Sequence, residues 1–72
     1  MQDSSDAFQL VVNGESMTVR ARTLTELLEG LALDASSIVA EVNGAIVPKE
    51  DFARTSLSNG DRIELVRFVG GG

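Results

Sequence analysis

From the eighth position onward, apolar and polar residues alternate. Phe8, Leu10 and Val12 fall on one side of the alternation, and Gln9, Val11 and Asn13 on the other. A period of two is the mark of a β-strand. Asn13-Gly14 follows, and both residues tolerate positive φ, so the pair predicts a tight hairpin. Met17 and Val19 then alternate with Thr18 and Arg20 as a second strand. The period changes at Thr23. Leu24, Leu27, Leu28 and Leu31 recur three and four residues apart, which sets them on one helical face. Thr23-Leu24-Thr25-Glu26 reads as a capping box. Thr23 accepts from the Glu26 N–H, and the Glu26 side chain reaches back to Thr23. Gly30 reads as the stop.

A turn-like stretch spans 34–37. Ile38, Ala40 and Val42 then alternate with Val39, Glu41 and Asn43, and Asn43-Gly44 is a second hairpin signal. Ala45-Ile46-Val47 is short, and Pro48 has no N–H to give a ladder, so this piece belongs at a sheet edge. Residues 49–54 suit a single helical turn with Phe52 inward. Ser58-Asn59-Gly60-Asp61 is a turn, and 62–68 form the last strand. The helix must bury its leucines on one face of one mixed sheet. The last strand can pair parallel to the first, because the chain between them supplies the long crossover that a parallel pair requires. The expected fold is α+β, a β-grasp or ubiquitin-like layout with one main helix across one face. Its parts are a flexible N-terminal extension over 1–7, the domain over 8–68 and a flexible glycine tail over 69–72.

On the last strand, Ile63 and Leu65 share one face, while Val66 and Phe68 fall nearer the other. With the helix on the first face, Val66, Phe68 and Val69 form a partner interface beside the tail, and Val11 and Val39 are placed to join it. A bulge would instead turn Phe68 back into the core.

Composition narrows the chemistry. At 72 residues the chain makes one small domain. With 43% hydrophobic and 24% charged residues it is expected to fold. It contains no Cys, His, Tyr or Trp. Thiol nucleophiles and imidazole acid–base catalysis are therefore excluded, and neither structural zinc nor disulfides are expected. A formal net charge of −5 disfavours nucleic acid and suits a partner with a basic surface. No apolar run is long enough to span a bilayer, and Met1 to Asp6 lacks the basic, then apolar, start of a signal peptide. The expectation is a cytoplasmic protein with no membrane partner.

The remaining candidate is the end of the chain. Gly70-Gly71-Gly72 has no side chains and ends in a carboxylate that is ionised near neutral pH. Such a tail threads a channel that excludes larger residues, with Gly70 and Gly71 as the threading part and Gly72 as the reactive end. A carboxylate needs activation before it can be transferred. No phosphate-cradling glycine loop is present in the sequence, so ATP would be used by another protein. The chain is then a co-substrate, not an enzyme, and binds no cofactor or metal of its own. A non-covalent β-grasp binding module is the alternative of another class.

Several segments resemble the ThiS family, the sulfur carriers of thiamine biosynthesis. They are Val12-Asn13-Gly14-Glu15, Thr23-Leu24-Thr25-Glu26-Leu27-Leu28, Glu41-Val42-Asn43-Gly44-Ala45-Ile46-Val47-Pro48, the stretch from Leu57 to Val66, and Arg67-Phe68-Val69-Gly70-Gly71-Gly72. The resemblance implies that a ThiF-like adenylating enzyme, related to ubiquitin-activating enzymes, adenylates Gly72. A cysteine desulfurase relay would supply sulfur to form a thiocarboxylate, and thiazole synthase would consume it. The small subunit of molybdopterin synthase and a ubiquitin-like modifier share the layout and remain alternatives.

Overall fold

Two Asn-Gly turns and one leucine-faced helix organise the chain. The computed structural model describes residues 7–68. Strands β1 (Phe8–Val12) and β2 (Glu15–Val19) form the first hairpin. Helix α1 (Leu24–Gly30) follows, then a 3-10 turn at Ala35–Ser37. Strands β3 (Ile38–Val42) and β4 (Ala45–Val47) form the second hairpin. A 3-10 segment at Lys49–Arg54 precedes β5 (Arg62–Arg67). The sheet order is β2-β1-β5-β3-β4. The last strand is thus the central one, parallel to β1 and antiparallel to β3. This is the expected β-grasp arrangement.

Both hairpins turn through left-handed backbone. Asn13 and Gly14 have φ of 50° and 85°, and Asn43 and Gly44 have 53° and 88°. Asparagine and glycine reach this region at low cost. The resulting twist aims the inward residues of both hairpins at one face of the sheet. Leu10, Val12, Ile38, Ala40, Ile63 and Leu65 are buried there under Leu24, Leu27 and Leu28 of α1. Phe52 and Leu57 close the core. The start of α1 is tied to the segment before β5. Leu24 N–H donates to Thr55 O at 3.1 Å, and Leu57 N–H donates to Arg22 O at 2.9 Å.

The helix ends differ from expectation in two details. Thr23 Oγ1 does accept from the Glu26 N–H, at 3.2 Å. The Glu26 carboxylate, however, accepts from the Arg22 N–H at 2.7 Å rather than from Thr23. The chain enters the helix extended at Thr23, and this brings the preceding amide within reach of the N-terminal turn. At the other end Gly30 lies inside the helix, and Ala32 takes the left-handed turn with φ 60°. Ala32 N–H donates to Glu29 O at 3.0 Å and Leu33 N–H to Leu28 O at 2.9 Å. This double closure is the Schellman arrangement, with alanine where glycine usually sits. Leu33 packs against the core, and that contact fixes the register of the turn. The segment at 49–54 is a 3-10 helix over six residues rather than one turn.

An alanine in left-handed backbone is strained, because its Cβ crowds the following carbonyl. Ala32→Gly should relieve that strain and stabilise the domain by about 0.5–1 kcal/mol after the entropy cost of glycine. The urea midpoint should rise with an unchanged slope.

Candidate functional site

Strand β5 is the last described strand, and Phe68 follows it directly, so the groups that hold β5 also set the position of Phe68. Its partner β3 matches it from Ile38↔Arg67 to Val42↔Ile63. On the other side β1 pairs only as far as Val12↔Ile63. Beyond that point the chain of β1 has turned away, and the Asn13 side chain takes over: its Oδ1 accepts from Leu65 N–H at 2.8 Å. Asn43 acts symmetrically from the other hairpin. Its Oδ1 accepts from Arg62 N–H at 2.9 Å, and its amide donates to Asp61 Oδ1 at 3.1 Å. Each asparagine thus both turns a hairpin and holds the last strand. The Asn-Gly signal reveals the first role in the sequence; the second needs the parallel pairing to be known.

At the far end of β5 a small polar cluster supports Phe68. Phe68 N–H donates to Ser37 O at 3.0 Å. Lys49 Nζ donates to Ser36 O at 3.0 Å and stands 5.6 Å from the centre of the Phe68 ring, within cation–π range. The turn that offers both carbonyls is capped by Asp34, whose Oδ1 accepts from Ser36 N–H at 3.0 Å and from Ser36 Oγ at 2.8 Å. The Ser36 hydroxyl is the main reason the Asp34 carboxyl titrates below its usual range; the Ser36 amide adds to it, and the Lys49 charge contributes last. Nothing in the local sequence marks Lys49 or Asp34 as neighbours of Phe68, because three separate segments meet there.

The face turned away from α1 is apolar near this end. Ile63 and Leu65 are buried beneath the helix, whereas Val66 is 58% and Phe68 41% exposed. Val39 lies opposite Val66 on β3 and is also exposed. The expected outward placement of Val66, Phe68 and Val39 therefore holds, and no bulge returns Phe68 to the core. Val11 is half-buried and two strands away from Val39, so it contributes less than expected. Ile46 was missed. It is 66% exposed on the edge strand β4, and the alternation Ala45-Ile46-Val47 was the available signal. Val69, Gly70, Gly71 and Gly72 lie outside the described residues.

Among the described residues no charged side chain is buried, and no group of three or more potential metal ligands gathers. None of their helices is long and apolar enough to cross a membrane. A shallow apolar groove of about 400 Å³ opens between β2 and α1, lined by Met17, Val19, Leu27 and Leu31 among others. It lies at the β2 edge on the helix-covered side, away from Val66 and Phe68.

Comparison with known proteins decides the family. The ThiS family pattern matches residues 10–72. The chain belongs to the ThiS family. The Escherichia coli sulfur carrier protein ThiS is 34% identical over 65 residues, covering 89% of this chain and 98% of that protein. The crystal structure of the thiamine biosynthesis protein ThiS from Geobacter metallireducens superposes with a TM-score of 0.78 at 36% identity, over 90% of this chain and 100% of that one. A thiazole synthase from Paramagnetospirillum magneticum is 40% identical over 65 residues. This ThiS-family chain spans 89% of its own length in that match but only 20% of the synthase.

The Asp34 cap should be visible in a titration. Its pKa is lowered on folding, so its contribution to stability is complete above the ordinary carboxylate value near 3.8 and is lost as pH falls through the lower folded value. Amide resonances of Ser36 should titrate with a midpoint below 3.8, and Asp34→Asn should abolish that titration.

Proposed function

We propose that this chain is a sulfur carrier of thiamine biosynthesis and that the Gly72 carboxylate carries the sulfur. The observation that supports this most directly is the exposed apolar surface of Val66, Phe68 and Val39 at the end of β5, immediately before a sequence ending in three glycines. Exposed apolar surface of this kind beside a reactive end favours docking on another protein. Residues without side chains then offer the least obstruction to a narrow active-site channel.

In this reading the chain is a substrate of its partners. A ThiF-like adenylating enzyme docks on the outer face and receives Gly70 and Gly71 in its channel. An oxygen of the Gly72 carboxylate attacks the α-phosphorus of ATP and pyrophosphate leaves, giving an acyl-adenylate. The terminal sulfur of a persulfide on a cysteine desulfurase relay then displaces AMP, and a second thiol of the relay cleaves the resulting acyl disulfide, leaving a thiocarboxylate on Gly72 and a disulfide on the relay. Thiazole synthase takes the sulfur from that group. The names of the thiazole synthase relatives support this last partner, since part of each resembles the present chain. The ATP belongs to the adenylating enzyme, and the encounter takes place in the cytoplasm.

Deletion of Gly72 should abolish ATP–pyrophosphate exchange by the adenylating enzyme and leave the melting temperature unchanged. Normal exchange with the shortened chain would refute the terminal site. Phe68→Asp should keep the fold, since Phe68 is 41% exposed and lies outside the buried core, and should weaken the complex about tenfold or more. A folding defect with unaltered docking would overturn the assignment of the face. Intact mass measurement on protein from its native host should show one oxygen replaced by sulfur.

A further inference from the structure

The outer face carries a feature that folding alone does not favour. Glu41 of β3 and Glu64 of β5 stand directly opposite each other. Like charges in that position destabilise a sheet. Ile46 lies across from Glu41 on β4, and the next outward pair along β3 and β5 is Val39 with Val66. The two carboxylates are therefore bordered by apolar surface at the β4 edge and toward the exit of β5. Neither takes part in a hydrogen bond or an ion pair within residues 7–68. Arg62 lies on the same face two residues before Glu64, yet it forms no ion pair with either carboxylate among the described residues. Whatever covers the valines and Ile46 must also cover the glutamates, and it would bury two negative charges unless it brought a positive one.

We propose that this face receives a basic side chain, arginine or lysine, from the adenylating enzyme, seated between Glu41 and Glu64 with Val39, Ile46, Val66 and Phe68 packed around it. The proposal rests on the carrier reading above and adds the chemistry of the partner's contact. Charge complementarity selects this partner. An enzyme that gathers ATP and a carboxylate in one cleft gains from positive charge around it, and an acidic patch beside the incoming end complements such a surface. The net charge of −5 works in the same direction by speeding the encounter. The arginine fork suits the site better than lysine, because two carboxylates on neighbouring strands can accept from its separate N–H groups.

The test uses the full chain and the adenylating enzyme of the same organism. Glu41→Gln and Glu64→Gln are combined, Glu64→Lys is made separately, and Phe68→Asp serves as the control for the face itself. Pyrophosphate exchange is measured at low and high salt, together with melting temperatures. The double glutamine variant should raise the KM for the carrier about tenfold or more. It should leave kcat at saturation unchanged and flatten the salt dependence. Its melting temperature should be equal to or above that of the unaltered chain, because a repulsive pair has been removed. Glu64→Lys should be worse than the double variant. An unaltered KM and salt dependence in the double variant, with Phe68→Asp defective, would overturn the charge match while leaving the docking face standing. Unaltered exchange in all of them would sink the carrier face as well. A defect confined to binding of thiazole synthase would overturn the choice of partner. A melting temperature well below that of the unaltered chain would make the pair structural and overturn the proposal.

Discussion

The burial of the α1 leucines against the sheet is the interaction on which the remaining features depend. A helix of seven residues does not persist alone in water, because nucleation costs more than so few hydrogen bonds return. It exists because Leu24, Leu27 and Leu28 find Leu10, Val12, Ile38, Ala40, Ile63 and Leu65 beneath them. That contact has a second consequence. Once one face of β5 is covered, the period of two sends Glu64, Val66 and Phe68 to the other face. The exposed apolar face is therefore fixed by the same packing that stabilises the domain.

The central position of β5 explains how this strand is held firmly. Here β3 pairs along one side, and on the other side a hairpin asparagine continues the ladder after β1 stops. Asn43 holds the beginning of the strand, and the Asp34–Ser37 turn with Lys49 holds Phe68 at its exit. Anchors at both ends give the outer face a defined shape right up to the last described residue.

The outer face also carries features that local stability does not favour. Exposed valines, an exposed phenylalanine and two opposed carboxylates are each unfavourable in the free chain. Their concentration on one side, beside the exit of β5, contrasts with the helix-covered side, where no polar side chain is buried among the described residues.

The sequence by itself determined the order of elements, the two Asn-Gly turns, the leucine face and the inward or outward sense of β5, because periodicity and turn chemistry act between residues a few positions apart. The final strand's parallel place beside β1 was legible only as a possibility, since the chain between them is long enough for the crossover that a parallel pair requires. Tertiary structure alone decided what depends on distant segments meeting. Asn13 and Asn43 became clamps for β5. Lys49, Ser36 and Ser37 came to surround Phe68, and Glu41 came to face Glu64 beside Ile46. Even the misplaced helix stop belongs here. Gly30 carried the local signal, but the contact of Leu33 with the core moved the left-handed turn to Ala32, because burying an apolar side chain outweighed the strain of one alanine.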